Sequence, residues 1–309
     1  MKYKMYKMKF QSPIHLGKQS LEDGEYAFCA DTLFSALCQE AVCMGESALQ
    51  EFYLYVKKGE LLLSDAFPFM EDTYYLPKPI KQIETEGKQG DSKLKKAYKK
   101  LRYIPMEAIT DYLHGCFDVS KGQGLEELGK FEMKVLASIR GEEKTLPYRV
   151  GTYYYKEGNG LYFIIGYRDD QTVNLFEQLL KCLSFSGIGG KRASGMGRFN
   201  YFSEEIPIDF LRRLENNGKE YMSLSVSLPR DEELDEVLQD AEYLLCKRSG
   251  FVASENYAEQ QMRKRDLYVL KTGSCFKTKY EGDVYDVSGK VGSHPVYRYA
   301  KPIFMEVDA

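Results

Sequence analysis

Residues 184–199 read SFSGIGGKRASGMGRF, five glycines and three basic residues between two apolar segments. Lysine among glycines suits an anion, because main-chain N–H groups and an ammonium can converge on one phosphate. The spacing matches neither common nucleotide cradle. In the P-loop pattern G-x-x-x-x-G-K-[ST], Arg192 stands where the hydroxyl residue belongs and Phe185 where the first glycine belongs. The dinucleotide pattern places its third glycine at Arg192. The local order is reversed as well. A helical pattern precedes the loop and a strand pattern follows it, so the loop meets the carbonyl end of a helix, which repels anions. Phosphate would have to rest on nest-like main-chain turns and on Lys191, Arg192 and Arg198. A turn closing the helix onto a sheet is the simpler alternative. Five glycines interleaved with Lys, Arg and Ser favour close approach by another, longer backbone.

Other chemistry is sparse. There is no HxxxH, no CxxC and no clustered carboxylate pattern, so neither a metal nor a cofactor is expected. The seven cysteines have no regular spacing, which fits reduced, mostly buried thiols in a cytosol. Asp31 opens a helical pattern, and that position is a sufficient structural reason for it. A net charge of −3 argues against a uniformly basic surface for nucleic acid but leaves room for a local groove. The 25 Tyr and 17 Phe suit partners that offer stacking faces.

The elements that must position these residues follow from periodicity. Tyr6, Met8 and Phe10 alternate with Lys7 and Lys9 as in a half-buried strand, and SPIHLG (12–17) ends it. ADTLFSALCQEAVCMG (30–45) places Leu33, Phe34, Leu37 and Ala41 on one helical stripe, with Asp31 or Thr32 available as a cap. Residues 64–105 are broken by Pro68, Pro77, Pro79 and Pro105. Within them KQGDSKLKKAYKKLR (88–102) sets seven basic residues against one Asp, the mark of a surface insertion. TLPYRV suggests a brief helix, 152–167 two strands joined at Gly-Asn-Gly, and 171–185 a helix. The order then repeats: a strand at 221–229, an amphipathic helix at 231–246, a short basic exit KRSGF (247–251), and strands within 265–277, 283–287 and 294–307. Two α+β units are therefore expected, residues 1–205 with an insertion around 64–150 and residues 206–309. No stretch approaches the length of a membrane span, and MKYKMYKMKF lacks the apolar core of a signal peptide, so a cytoplasmic protein without membrane attachment is expected.

GIGGKRASGMGRF resembles the glycine-rich loop of RAMP proteins, the RRM-like subunits of CRISPR effector complexes. Together with SPIHLG, ADTLFSALC, KRSGF and the ending SGKVGSHPVYRYAKPIFMEV, it is similar to the fourth subunit of Csm-type (type III-A) complexes, over nearly the whole chain and most weakly in 64–150. The resemblance implies two ferredoxin-like, RRM-like domains with a basic thumb-like insertion. It implies a non-catalytic subunit in antiviral defence that clamps the 5′ tag of the guide RNA and bridges the large polymerase-type subunit to the backbone RAMP subunit. The loop match carries RNA contact to Gly187, Ile188, Gly189, Gly190, Lys191, Arg192, Ser194, Gly195, Gly197 and Arg198, with Met196 packing on a base or ribose. The SPIHLG match adds Ser12, His15 and Gly17, and the first-helix match adds Thr32 and Ser35. In the second domain Arg263, Lys264, Arg265, Ser274 and Phe276 are candidates, and in the thumb Lys93, Lys95, Lys96, Lys99 and Lys100. Some RAMP relatives cleave guide precursors without metal. The alternative is such an endoribonuclease, with His15 of the three histidines (His15, His114, His294) as base beside Lys191 or Arg192.

Overall fold

In the computed structural model, the strand β1 (Lys2–Phe10) buries both of its faces. The structure describes residues 1–18, 20–83, 92–122, 124–138, 146–254 and 257–308. Tyr6 and Met8 point to a helical layer and Met5 to the second half of the chain, so the strand expected to be half-buried is a central one covered on both faces. Lys7 is accommodated in this interior because its ammonium lies 4.5 Å from the Phe69 ring centroid and donates to the Glu71 carbonyl.

The first half continues with α1 (Ala30–Met44), α2 (Glu46–Lys57), β2 (Leu61–Leu63), β3 (Phe67–Met70), β4 (Thr73–Pro77), α3 (Ser92–Lys100) and β5 (Tyr103–Pro105). It closes with β6 (Gly129–Ser138), β7 (Leu146–Tyr155), β8 (Asn159–Tyr167), α4 (Asp170–Ser186) and β9 (Phe199–Glu204). The main sheet runs β9-β1-β8-β3-β4-β5 with β2 also on β8, each neighbour antiparallel. Phe67–Met70, Thr73–Pro77 and Tyr103–Pro105 all belong to this sheet, so much of the start of the insertion expected around 64–150 is part of the main sheet. TLPYRV gives no helix, because Leu146–Val150 are strand. The strands β7 and β8 are consecutive at the glycine turn yet do not pair. β7 instead forms a long ribbon with β6, from Gly129↔Tyr155 to Ser138↔Leu146. Helix α4 fits its periodicity closely and is capped by the Asp169 carboxylate accepting from Thr172 N–H.

The second half does not repeat the first. It runs α5 (Ile208–Glu215), β10 (Tyr221–Ser223), α6 (Leu234–Leu238), β11 (Leu245–Arg248), β12 (Leu267–Leu270), β13 (Cys275–Phe276), β14 (Asp283–Asp286), β15 (Tyr297–Ala300) and β16 (Phe304–Glu306). A small sheet β13-β10-β16 is joined by the hairpins β11-β12 and β14-β15. The helix expected over 231–246 is cut to five residues. Asp240 turns left-handed (φ 55°), and Glu242 exchanges main-chain hydrogen bonds with Cys275. Ladder bonds to β12 and β13 therefore capture residues that an exposed amphipathic helix would have kept.

Two apolar clusters hold these parts together. One lies between the sheet and α1, α2 and α4, centred on Phe34, Phe52, Phe163 and Phe176. The other joins Met5, Phe67 and Ile164 of the sheet to Phe210, Met222, Ile303 and Met305 of the second half. Among the seven cysteines only Cys275 is buried outright, and Cys43, Cys116 and Cys182 are exposed, against the expectation of mostly buried thiols. Among the described residues no helix is long and apolar enough to cross a membrane.

Because the second cluster draws on both halves, Met305→Ala should destabilise the whole chain by about 2–5 kcal/mol. Urea unfolding followed by fluorescence and circular dichroism should shift as a single transition. Two separate transitions, with the first half unaffected, would contradict the shared core.

Candidate nucleic-acid interface

A groove of about 1050 Å³ runs between the two halves. Its walls are the SPIHLG turn, the start of α1, the glycine-rich loop, the end of α3 with β5, and β11 with the segment that follows it. Among the described residues lining it, eleven are Lys or Arg and three are Asp or Glu.

All three acids are masked. Glu25 is bonded by Lys18 (2.8 Å) and Arg102 (3.3 Å). Burial raises its pKa, but these two cations outweigh it and hold the carboxylate below its usual value. Asp65 is buried and its pKa is raised by that burial, although it accepts from Ala30 N–H (2.8 Å), Val226 N–H (3.0 Å) and the Thr272 hydroxyl. Asp65 is thus the side chain that caps α1. The helix N-cap is Cys29, so Asp31 and Thr32 sit inside the helix and do not cap it.

Asp31 instead lies at the floor of the groove between two arginines from the second half. Arg248 binds it with both Nε (2.9 Å) and a terminal nitrogen (2.6 Å), and Arg298 adds a third bond (2.6 Å). Burial pushes the Asp31 pKa up, but the charge and hydrogen bonds of Arg248 and Arg298 outweigh it and hold the carboxylate below its ordinary value. Arg248 also donates to Thr32 (3.2 Å), and Lys264 reaches the Ser35 hydroxyl at 3.5 Å. Burial, reinforced by Arg298, lowers the Lys264 pKa, as expected of an ammonium crowded by like charge. Lys99, Lys100, Lys247 and Lys271 are exposed along the walls.

The glycine-rich loop is built differently from a phosphate nest. Gly197 is left-handed (φ 78°), and a Cβ there would stand 2.1 Å from the Ile188 carbonyl oxygen. A Cβ on Gly189 (φ 97°) would stand 2.6 Å from the His15 carbonyl oxygen. Gly187 and Gly190 are equally crowded by the protein itself, and Gly195 alone of the five faces open space. Seven of the loop's N–H groups, on Gly187, Ile188, Gly190, Ser194, Gly195, Gly197 and Arg198, are spent inside the molecule. Their acceptors include Pro13, His15 and the Ser12 hydroxyl. The close neighbour that the glycines admit is the chain itself, the SPIHLG turn at Gly189 and Gly190 and the loop's own backbone at Gly187 and Gly197.

Two of the loop's three basic side chains are engaged too. Lys191, left-handed at φ 60°, turns its ammonium 4.5 Å from the Tyr148 ring centroid of β7 and donates to that hydroxyl (3.1 Å). Arg192 does line the groove, but donates to Glu40, Gln39 and the Gly187 carbonyl.

The groove gathers His15, Gly17, Thr32, Ser35, Gly189, Gly190, Arg192, Lys264, Lys99 and Lys100. It does not gather Ser12, Gly187, Ser194, Gly195, Gly197, Arg198, Arg263 or Arg265. Ile188 and Met196 are buried, Ile188 in the helical-side core, so Met196 has no face to offer a base. Ser274 and Phe276 are wholly buried in the small sheet and cannot touch an RNA. Lys96 is exposed on α3 outside the groove, and the side chains of Lys93 and Lys95 lie outside the described residues. Sequence reasoning passes over Lys18, Lys78, Arg102, Lys247, Arg248, Lys271 and Arg298. The basic pair in KRSGF is the available signal for two of them. His15 is 5 % exposed. Its Nδ1 must be the donor to the Gly151 carbonyl (2.7 Å), and its ring packs against Gly190. Among the described residues no cluster of His, Cys, Asp or Glu could hold a metal.

A family model, the CRISPR Csm4 C-terminal domain, matches residues 216–307. Csm4 of Mycobacterium tuberculosis is 36 % identical over 294 residues, covering 94 % of this chain and 93 % of that protein. Csm4 of Streptococcus thermophilus is 35 % identical over 324 residues and covers both chains fully. Among solved structures, a chain of a Csm3–Csm4 subcomplex of the type III-A CRISPR–Cas interference complex superposes with a TM-score of 0.66 at 19 % identity, covering 99 % of each chain. A chain of a Csm1–Csm4 cassette in complex with AMPPNP superposes at 0.60, with 18 % identity and 99 % and 98 % covered. These likenesses establish a shared fold.

Asp31→Asn should cost about 3–5 kcal/mol, since two arginines would keep a buried position without their counter-charge. The folded carboxylate titrates below its ordinary 3.8, so the stability it confers is present above that pH and is lost as pH falls through the folded value. Denaturation midpoints measured across acid pH should therefore fall below about pH 3.8 in the wild type. The Asn variant should lack that component, and an unchanged profile would refute the clamp.

Proposed function

The chain belongs to the Csm4 family of the type III-A Csm complex, and on that premise we propose that it holds the 5′ tag of the guide RNA in the basic groove. The observation that carries this reading is the imbalance of charge. Of the eleven cations that line the groove, six meet carboxylates, while Lys78, Lys99, Lys100, Lys264 and Lys271 form no salt bridge among the described residues, so a polyanion would meet a surplus of positive charge. The strand order β9-β1-β8-β2/β3, with α1 and α4 packed on one face, supports reading the first half as the ferredoxin-like, RRM-like unit of RAMP proteins.

The solved relatives come from assemblies with Csm3 and with Csm1, and we assign the equivalent neighbours to this chain: the backbone RAMP subunit and the large polymerase-type subunit. In this reading the protein is a cytoplasmic scaffold of antiviral defence that bridges them and uses no cofactor. What favours holding over cleavage is His15. Its Nδ1 is committed to a main-chain carbonyl and its ring is packed against the loop, which leaves little freedom for a base that must reach a 2′-OH.

Binding of single-stranded guide RNA by the full chain should weaken steeply with salt. Lys99→Ala with Lys100→Ala should flatten the log–log salt slope by up to about 1.4, at roughly 0.7 for each phosphate no longer neutralised. Lys191→Ala should leave the slope unchanged, because that ammonium is already seated on Tyr148. An unaltered slope in the double variant would sink the groove as the RNA path. Defined RNA fragments that vanish with His15→Ala would instead establish the nuclease.

A further inference from the structure

Phe251 is 51 % exposed, and among the described residues lining the groove it is the one exposed aromatic. A phenyl ring on the lip of a cationic groove gains less from folding than a buried one, since about half of its surface stays in water. Its placement is nonetheless firm. Phe251 and Arg263 form a β-bridge, with Lys264 N–H bonded to the Gly250 carbonyl and Val252 N–H to the Met262 carbonyl, each at 2.9 Å. Immediately beneath, Val252 packs into a small core with Tyr257, Val287 and Val296, which anchors the strand that carries the ring.

The ring has two different sides. The Arg263 guanidinium lies over it, 5.4 Å from the centroid, and the ring remains open to the groove. Gly250, just before it, and Lys264, across the bridge, both line the same groove, and Lys264 points to Ser35 at the start of α1. A flat apolar face flanked by an ammonium within one bridge of main chain suits a nucleotide, with the base on the ring and the phosphate near the cation. A guanidinium behind the ring adds a cation–π contact to such a stack.

We propose that Phe251, backed by Arg263, is a stacking platform for one unpaired nucleobase of the RNA in the groove. This rests on the groove being the RNA path. The platform takes any base, because stacking uses the π-face that all four share. Its contribution is therefore to fix the register of the strand, and the sequence of the RNA does not matter to it.

The test uses the full chain and single-stranded RNA carrying 5-iodouridine at one position at a time. Irradiation should crosslink one position to Phe251, located by mass spectrometry. Phe251→Ala and Phe251→Leu should each abolish that crosslink and weaken binding about tenfold, while Phe251→Tyr and Phe251→Trp retain it. Removing the base at that position should weaken the wild type by the same factor and have no further effect on Phe251→Ala. Unfolding midpoints of the variants separate loss of the platform from loss of the fold. If RNA binds with its full salt dependence and responds to Lys99→Ala with Lys100→Ala, yet Phe251→Ala binds normally and no position crosslinks, the platform is wrong and the groove stands. If binding ignores the groove lysines as well, the reading of the groove has failed. Weakened docking of a protein subunit by Phe251→Ala in the absence of RNA would make this residue a protein contact and overturn the proposal.

Discussion

Asp31 is almost wholly removed from water, and a carboxylate in such a place stays ionised only where cations come to it. Both of its cations arrive from the second half of the chain, Arg248 on β11 and Arg298 on β15. The bidentate contact from Arg248 fixes distance and orientation together, which a lysine could not do. Arg298 is itself buried, and its remaining bond goes to the Ser249 carbonyl, so the clamp also ties down the turn after β11. Thr32, Ser35, Lys264 and the lip of the groove take their positions from this one ion cluster. A buried ion cluster is a poor source of net stability, because desolvation offsets most of the attraction. Its value here is geometric: the groove exists only in the register in which Asp31 finds both arginines.

The glycine-rich loop serves the same end from the other side. Its turns are tight enough to let the SPIHLG segment lie directly on it, and the N–H groups of Gly190, Gly197 and Arg198 are consumed in that contact while four others are spent within the loop and its helix. The loop is a strut that sets where His15 and Gly17 stand, while the free positive charge comes from Lys99 and Lys100 of α3 and from Lys271 in the segment before β13. Glycine content and nearby lysines would look alike in a phosphate nest and in such a strut. What separates them is which carbonyl each N–H meets, and that is decided by a segment more than 170 residues away in the chain (Gly190 to His15).

This is also where the sequence stops being legible. Helices α1 and α4 and strand β1 are readable because their signals are local: a 3.6-residue stripe and a period of two. The motifs at 12–17, 30–38, 187–198 and 247–251 stand out in the sequence, and these four separate stretches do meet around one groove. Their side chains cannot be assigned from sequence wherever burial decides the matter, and Met196, like Ser274 and Phe276 outside these motifs, is lost to RNA for that reason. The helix expected over 231–246 fails because its C-terminal half competes with two sheet edges that periodicity cannot see. Asp31 reads as a cap because its position fits one; its true partners lie 217 and 267 residues away.

A chain with a net charge of −3 can still present a cationic groove, and the distribution of its acids shows how. A separate concavity, sharing no lining residue with the groove, is edged by Asp72, Glu107, Asp209, Glu306 and Asp308. Its one arginine, Arg213, is occupied by the Glu306 carbonyl and the Thr110 hydroxyl. At physiological salt, fields from exposed charges decay over roughly 8 Å, so acids on another surface subtract little from the potential inside the groove. Within the groove Glu25 and Asp31 are neutralised at contact distance by Lys18, Arg102, Arg248 and Arg298, and Asp65 is buried and hydrogen-bonded. The total charge governs solubility and long-range repulsion, whereas a bound strand responds to the handful of ammonium groups that no carboxylate has claimed. Lys99, Lys100 and Lys271 stand in that position on the walls, and no sum over the composition could have identified them.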